Sequence, residues 1–463
     1  MDSAFDVIVI GSGAAGLSAA LGTAQQGASV ALVERSTYLG GECPNSACVP
    51  TQTLLRAAKT YHLLQHADQL GLPMPTDKAQ YRQIKSFKDA IVAQTGGRHL
   101  TAARLKEQGV ELIRGEAHFA DLHTLVVDNK RHTGRQFVIA TGSRPCPPAR
   151  IGLEHVPYLT HREAIELTTL PSSLIILGGG PIGVEFAVLF AIFGVDVTLA
   201  EYGKRILPNE DAELSEFIAK ELTGFGITVL TDYCAEQVTS HGQSGITMSG
   251  RCRGQRRVIN SEQLLVACGS TPNVEALGID RLGVVLTDDG IQTDDYLRTT
   301  VPHIWAVGDV TRHPHYTHTA HYEGSLVAHN LTQQTKRALD LRVVPRALAT
   351  FTDIASVGKT EEELTKQQRP YIVGRADVAL LGRSLIDQTS AGFIKLLVDP
   401  DTGHVLGASI AAPQSHELIH EIAVAMKAQL HIDVLATLLH AYPTYAEGIA
   451  VAASDAGNQL PPR

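Results

Sequence analysis

The sequence predicts an α/β protein that contains one parallel strand–turn–helix–strand unit twice, and two glycine-rich segments with matched spacing predict it. The first runs Val7-Ile8-Val9-Ile10-Gly11-Ser12-Gly13-Ala14-Ala15-Gly16 and continues into Val30-Ala31-Leu32-Val33-Glu34. The second runs Leu174-Ile175-Ile176-Leu177-Gly178-Gly179-Gly180-Pro181-Ile182-Gly183 and continues into Val197-Thr198-Leu199-Ala200-Glu201. In both, 23 positions separate the first glycine from the glutamate that ends the second strand. Short, wholly apolar runs read as strands buried on both faces, as parallel sheets require. In G-x-G-x-x-G the first glycine makes the turn, the second admits a pyrophosphate to the backbone, and the third lets helix pack on strand. The acid then takes the ribose hydroxyls. One such motif is weak evidence, because glycine-rich turns occur without ligands. Two complete units at equal spacing imply two bound dinucleotides, one on Gly11, Gly13, Gly16 and Glu34, the other on Gly178, Gly180, Gly183 and Glu201.

The bulk properties fit an enzyme of several domains. A chain of 463 residues with 44% apolar content is long enough for about three. Its net charge of −9 argues against electrostatic binding to nucleic acid or an acidic membrane. Asp2 and Asp6 stand where a signal peptide would carry positive charge, and no stretch reaches the ~18 apolar residues of a membrane span. Six cysteines over this length do not make a secreted disulfide framework, so the cytoplasm is the expected address.

Between the two units lies Gly40-Gly41-Glu42-Cys43-Pro44-Asn45-Ser46-Ala47-Cys48-Val49-Pro50-Thr51-Gln52, opening a helix that continues through Leu54, Leu55, Ala57 and Ala58. In a straight helix, thiols five positions apart have Cα atoms roughly 8–9 Å apart, beyond the ~7 Å a disulfide tolerates. Either the cysteines are unpaired, or the first turn is distorted, which Pro44 and Pro50 would assist. A cysteine at a helix N-terminus also has its thiolate stabilised. Cys146, Cys234, Cys252 and Cys268 read as ordinary cysteines, whereas the glycines and prolines around Cys43 and Cys48 point to a redox pair.

These residues resemble the flavin-dependent pyridine nucleotide–disulfide oxidoreductases, the family of dihydrolipoamide dehydrogenase, glutathione reductase and mercuric reductase. Gly-Gly-x-Cys-(x4)-Cys-x-Pro carries the likeness. Ile139-Ala140-Thr141-Gly142-Ser143 resembles the exit from the flavin domain. Ala267-Cys268-Gly269-Ser270-Thr271-Pro272-Asn273 resembles the return crossing, with Ser270 where an Arg is usual. Ile304-Trp305-Ala306-Val307-Gly308-Asp309-Val310 resembles the second flavin motif, whose Asp bonds the ribityl chain. Phe393-Ile394-Lys395-Leu396 and the segment to Glu447 resemble a dimerisation domain. The resemblance implies two Rossmann-like domains, for FAD and NAD(P)H, plus an α+β C-terminal dimerisation domain. Residues 1–148 and 270–342 would form the flavin domain, 149–269 the nicotinamide domain and 343–463 the interface domain. It further implies cofactor contacts from Gly41, Gln52, Thr141, Gly142, Glu185, Gly269, Asp309 and His318. Electrons would run from NAD(P)H through FAD to a Cys43–Cys48 disulfide, Cys48 being the flavin-proximal, charge-transfer thiol and Cys43 the interchange thiol that meets substrate. Glu201 favours NADH because a carboxylate repels a 2′-phosphate, although Lys204 and Arg205 lie close by.

The departures from that family pattern are informative. A catalytic His is usual directly before Pro-Thr, with Glu five positions later; here the run is His440-Ala441-Tyr442-Pro443-Thr444-Tyr445-Ala446-Glu447. Glu447 is kept, Tyr442 fills the base position, and His440, two residues early, reads as structural. A phenol near pKa 10 is a poor base beside an imidazole near 6.5, yet it can donate a proton or approach a thiolate-bound metal. Mercuric reductases carry Tyr here but also a C-terminal cysteine pair, and this sequence has no cysteine after Cys268. Gln52 stands where Lys usually pairs with Glu185 near the flavin. His313, His315, His318 and His321 crowd one stretch but match no standard metal-ligand spacing, so no resident metal is expected. The leading expectation is an NAD(P)H-dependent reductase of a small disulfide or a metal ion, working as a homodimer with Tyr442 and Glu447 completing the partner's site. The alternatives are a diaphorase-like quinone reductase, a dihydrolipoamide dehydrogenase-like enzyme, or a flavoprotein kept as a redox sensor.

Overall fold

The computed structural model describes residues 3–95, 101–242 and 245–461. Strand Ser3–Ile10 lies between Val30–Glu34 and Lys130–Ile139, parallel to both, and Val110–Arg114 extends the sheet beyond Val30–Glu34. Every residue of Val30–Glu34 is buried, as the apolar run Val30–Val33 requires. Thr124–Val127 and Ala117–Asp121 close the other side as an antiparallel meander. The chain leaves this sheet at Ile139 and rejoins it at Ile304–Ala306, which pairs in parallel with the end of Lys130–Ile139.

The second unit forms its own parallel sheet, in the order Thr228–Leu230, Asp196–Ala200, Ser173–Leu177, Gln263–Val266. Its second strand stops at Ala200, one residue before the glutamate expected to end it. Glu201 turns back instead, and its carboxylate accepts the N–H groups of Gly179 and Gly203, each at 2.6 Å. Two crossings join the sheets. Ser143–Pro145 and Ser270–Pro272 pair antiparallel, and Thr141 and Asn273 exchange hydrogen bonds of 2.7 and 3.0 Å across them.

The glycines divide their labour alike in both turns. Gly11 and Gly178 hold φ of 102° and 113°, and a Cβ at either would strike a backbone carbonyl, that of Ala140 or Ala267. At Gly16 and Gly183 a Cβ would strike the carbonyl of the first glycine, so only glycine lets these helices seat on their strands. At Gly13 and Gly180, by contrast, no protein atom lies within 4 Å of the Cβ position. The middle glycine of each turn therefore faces open space at the start of a helix, Ala14–Ala24 or Pro181–Ile192. Such a concavity of free N–H groups suits a phosphate.

A five-stranded antiparallel sheet follows, in the order Arg346–Leu348, Ile354–Gly358, Val405–Ala411, Phe393–Val398, Ile372–Asp377. Helix Glu447–Gly457 packs on its Ile372–Asp377 edge so closely that a Cβ at Gly374 would meet the Ala452 carbonyl. Ile394, Leu396, Ile410, Ile422 and Ile449 form the core between sheet and helices. Among the described residues no helix is long and apolar enough to cross a membrane.

Candidate redox site

The two thiols meet because the helix expected across them is broken. Glu42–Asn45 makes one short helical turn. Ser46 (φ −142°) and Ala47 (φ −128°, ψ −98°) then leave helical geometry, and a new helix, Cys48–Gln65, starts at the second cysteine. Pro50 falls in its first turn, where a missing N–H costs nothing. The turn is distorted, which brings the two thiols near each other, but both cysteines are free in this structure and no disulfide joins them. Asn45 pins the loop by donating to the carbonyls of Leu39 and Gly41, both at 2.8 Å. Gly41, at φ 70°, lies so close to Gly13 that a Cβ there would crowd its Cα. The redox segment therefore rests directly on the first phosphate turn.

The pair ionises in two separated steps. Cys43 is brought down to about 6, chiefly because the Cys48 S–H donates to its sulfur, with burial opposing the shift. Cys48 is pushed up by that same bond, by burial and by the charge on Cys43. Thr317, opening helix Thr317–Thr332, places its hydroxyl 3.5 Å from Cys48 Sγ.

One turn further along helix Cys48–Gln65, Gln52 Nε2 donates to Glu185 Oε1 at 2.8 Å. The same oxygen accepts the Ala349 N–H at 3.3 Å. The nearest ammonium on this helix, Lys59, is paired with Asp353 instead. Burial accordingly lifts Glu185 to about 7, the two hydrogen bonds pulling the other way.

One cluster beside the cysteines escaped the sequence reading. Glu42, immediately before Cys43, takes Arg162 on one carboxylate oxygen and His161 Nε2 at 3.1 Å on the other. His161 is buried, which pulls its pKa down, while a charge on Cys48 acts to raise it. No motif marks His161 or Arg162; the acid next to Cys43 was the only clue.

The remaining candidates are arranged as follows. Tyr442 is 78% exposed, with its hydroxyl against Gly382. Glu447 accepts the Thr444 N–H at 3.1 Å. Within the single chain neither hydrogen-bonds a cysteine among the described residues. His440 is turned inward, its Nε2 3.1 and 3.3 Å from the two oxygens of Glu421. Glu34 is buried and binds the glycine turn through Ser12, at 2.8 Å from its N–H and 2.7 Å from its hydroxyl. Asp309 takes the Ser143 hydroxyl at 3.3 Å, and burial pushes its pKa up. Gly142 and Gly269 both hold positive φ, with no protein atom within 4 Å of the Cβ position. The four clustered histidines diverge. His313 faces Glu323 at 2.9 Å, His315 the Ser270 hydroxyl at 3.4 Å and His321 the Ser18 hydroxyl at 2.6 Å, while His318 stacks on Tyr316.

Two nucleotide units, a dithiol between them and a third α+β domain define a class, and comparison with known proteins agrees. Residues 5–324 match the pyridine nucleotide-disulphide oxidoreductase family and residues 344–453 its dimerisation domain. The chain belongs to that family, which is FAD-dependent and uses a pyridine nucleotide. It is similar to mercuric reductase from Staphylococcus aureus, at 36% identity over 98% of this chain and 82% of that protein. It is also similar to dihydrolipoyl dehydrogenase from Geobacillus stearothermophilus, at 31% identity over 97% of this chain and 95% of that protein. Among solved structures it resembles the HOCl-induced flavoprotein disulfide reductase RclA from Escherichia coli, at 28% identity and TM-score 0.86, covering 98% of this chain and all of that one. The Cu(II) complex of RclA matches with a TM-score of 0.87 at 28% identity, over 98% of this chain and 99% of that one. The open Cβ positions at Gly13 and Gly180 leave room for the dinucleotides that the family binds.

Gln52→Lys tests the uncompensated Glu185. An ammonium at 52 should hold Glu185 ionised below neutrality and favour the reduced flavin. Spectro-electrochemical titration at pH 7 should show the two-electron potential raised by at least ~30 mV, equivalent to ~1.4 kcal/mol. An unchanged or lowered potential would mean that position 52 lies away from the flavin.

Proposed function

We propose that this protein is an NADH-dependent, FAD-containing reductase whose Cys43 and Cys48 hand two electrons to a thiophilic metal ion or a small disulfide. The observation that carries this reading is the pair of free thiols, Cys43 and Cys48, brought near each other by the broken turn between them, in a sequence that has Tyr442 in the usual histidine position. The relatives' names support the acceptor class, since one reduces mercuric ion, one oxidises a dithiol and one was solved with Cu(II). In this reading residues 1–148 and 270–342 hold FAD, 149–269 hold the nicotinamide nucleotide and 343–463 form the dimer interface.

Glu34 and Glu201 would bind the ribose hydroxyls, and Gly13 and Gly180 would admit the pyrophosphates. Gly41, Thr141, Gly142, Gly269, Asp309 and His318 would line the flavin's course, with Gln52 and Glu185 near its ring. When bound, FAD supplies hydride acceptance from the nicotinamide and a two-electron donor for the disulfide. Reduction opens Cys43–Cys48 with uptake of two electrons and one proton, leaving Cys43 as thiolate and Cys48 as thiol. Towards a disulfide, the Cys43 sulfur attacks and releases one thiol, leaving a mixed disulfide. Cys48 then attacks Cys43 Sγ, freeing the second thiol and closing the pair. Towards a thiophilic cation, the two sulfurs would bind it and give up two electrons, both to one Hg(II) or one to each of two Cu(II) ions, as the Cys43–Cys48 disulfide closes again. Tyr442 and Glu447 of the partner subunit would cover the site.

A panel of oxidants decides the acceptor: lipoamide, glutathione disulfide, Hg(II), Cu(II) and quinones, each assayed with NADH and with NADPH. A metal ion or disulfide should turn over fastest, and Cys43→Ser should abolish that activity. Quinone reduction that survives Cys43→Ser would contradict the proposal.

Tyr442→His tests the acid–base gap. An imidazole held by Glu447 would protonate a departing thiolate, a task that a phenol near pKa 10 does poorly. Turnover of lipoamide near pH 7 should rise by at least ~10²-fold, the lower end of general acid–base assistance. Reduction of a metal ion should change far less.

A further inference from the structure

The loop after strand Asp196–Ala200 carries side chains suited to opposite cofactors. Glu201 suits free ribose hydroxyls, whereas Arg205 is the kind of group that grips a 2′-phosphate in a planar fork. The loop is packed on the glycine turn: the Leu207 N–H donates to the Gly179 carbonyl at 2.8 Å, and Ile206 fills the space beside Gly179. Arg205 is therefore anchored in backbone next to the nucleotide turn, yet its guanidinium is committed elsewhere.

Arg205 Nη1 lies 2.5 Å from Glu362 Oε1, and its Nη2 lies 2.5 Å from Oε2. Nη2 also donates to the carbonyls of Pro208 at 3.2 Å and Glu210 at 3.4 Å. Glu362 belongs to the dimerisation domain and sits in the first turn of helix Glu361–Lys366, where the helix dipole welcomes a carboxylate. That helix is held against the loop by further ion pairs. Lys395, 1% exposed, binds Asp211 at 2.5 Å and Glu361 at 2.7 Å. Glu210 takes Arg346 at 2.9 Å and the Ser356 hydroxyl at 2.5 Å. Glu362 thus meets Arg205 from a fixed platform, and the pair has the two-pronged geometry that gives a salt bridge specificity.

We propose that Glu362 sets the pyridine-nucleotide preference of this enzyme by occupying both prongs of Arg205, which keeps that cation from a 2′-phosphate and leaves Glu201 to select NADH. Specificity for one end of the cofactor is thereby written partly in another domain. The inference rests on reading Gly178–Glu201 as the nicotinamide-nucleotide site.

The test uses the FAD-loaded enzyme in three forms: wild type, Glu362→Gln, and Glu362→Gln combined with Arg205→Gln. Calorimetry with 2′,5′-ADP and with 5′-AMP reads the 2′-phosphate contribution directly, and steady-state kinetics with NADPH and NADH accompany it. In Glu362→Gln, 2′,5′-ADP should bind about tenfold tighter, with 5′-AMP unchanged. The NADPH-to-NADH ratio of kcat/KM should rise by a similar factor, while kcat with NADH stays within about twofold. The double variant should return both to the wild-type value or below. An unchanged 2′,5′-ADP affinity in Glu362→Gln, or an equal gain in the double variant, would overturn the proposal. A wild type that already prefers NADPH would instead refute the NADH reading, because the role of Glu362 is scored on differences between variants. If Glu362→Gln does not fold, Glu362→Asp, one methylene shorter, should give a smaller gain in the same direction; no gain there would also refute it.

Discussion

The site depends on two sulfur atoms, five residues apart, being able to touch. A continuous helix would hold them apart, so the chain stops its first turn at Asn45, spends Ser46 and Ala47 outside helical geometry and restarts at Cys48. Each neighbour of that break is fixed by it. Gly41 can rest on Gly13 only because Gly41 carries no side chain. Thr317 reaches Cys48 from the helix that follows the second flavin motif. Gln52, one turn on, reaches Glu185 in the helix of the second nucleotide unit. Helix Cys48–Gln65 thus meets side chains from both nucleotide units.

Two departures from the family pattern make chemical sense together. The neighbouring Cys48 thiol holds the Cys43 pKa below the ordinary thiol value, so its attack leans less on an external base. What a tyrosine at 442 leaves undone is protonation of a departing thiolate. A disulfide acceptor produces such a leaving group, whereas a metal cation does not, and so loses nothing when histidine is exchanged for tyrosine. At position 52 a neutral amide replaces an ammonium, and Glu185, relieved of an ion pair, titrates around neutrality instead of staying fully charged. Both changes remove a group that manages protons or charge during dithiol chemistry.

Much of this was legible in the sequence. The two glycine turns were readable from spacing because each glycine answers a separate steric demand: collision at Gly11 and Gly16, open space at Gly13, and the same again at Gly178, Gly183 and Gly180. The family resemblance set Gln52 opposite Glu185, but that its amide would hydrogen-bond the carboxylate is a finding of the structure. The break at Ser46–Ala47 was posed as one of two possibilities and could not be decided, because helix periodicity says nothing about where a turn fails. Glu201 was expected to close its strand, yet its carboxylate found better partners in the Gly179 and Gly203 amides. His161 and Arg162 were invisible, since they reach Glu42 from a distant stretch of chain with no motif. The fork between Arg205 and Glu362 spans two domains and was equally unreadable.

The thiol–thiol bond is tested most directly by the pH dependence of alkylation. NADH-reduced enzyme is treated with iodoacetamide between pH 5 and 10, and the modified residue is identified by mass spectrometry. Cys43 should react first, with a rate that climbs through a midpoint of about 6 and then levels, because its thiolate is the form that the Cys48 S–H stabilises. In Cys48→Ala the donor is gone, and the midpoint should move up toward the ordinary thiol value of about 8.5. A midpoint near 8.5 in both proteins, or modification of Cys48 first, would contradict the shared-proton pair on which the site is built.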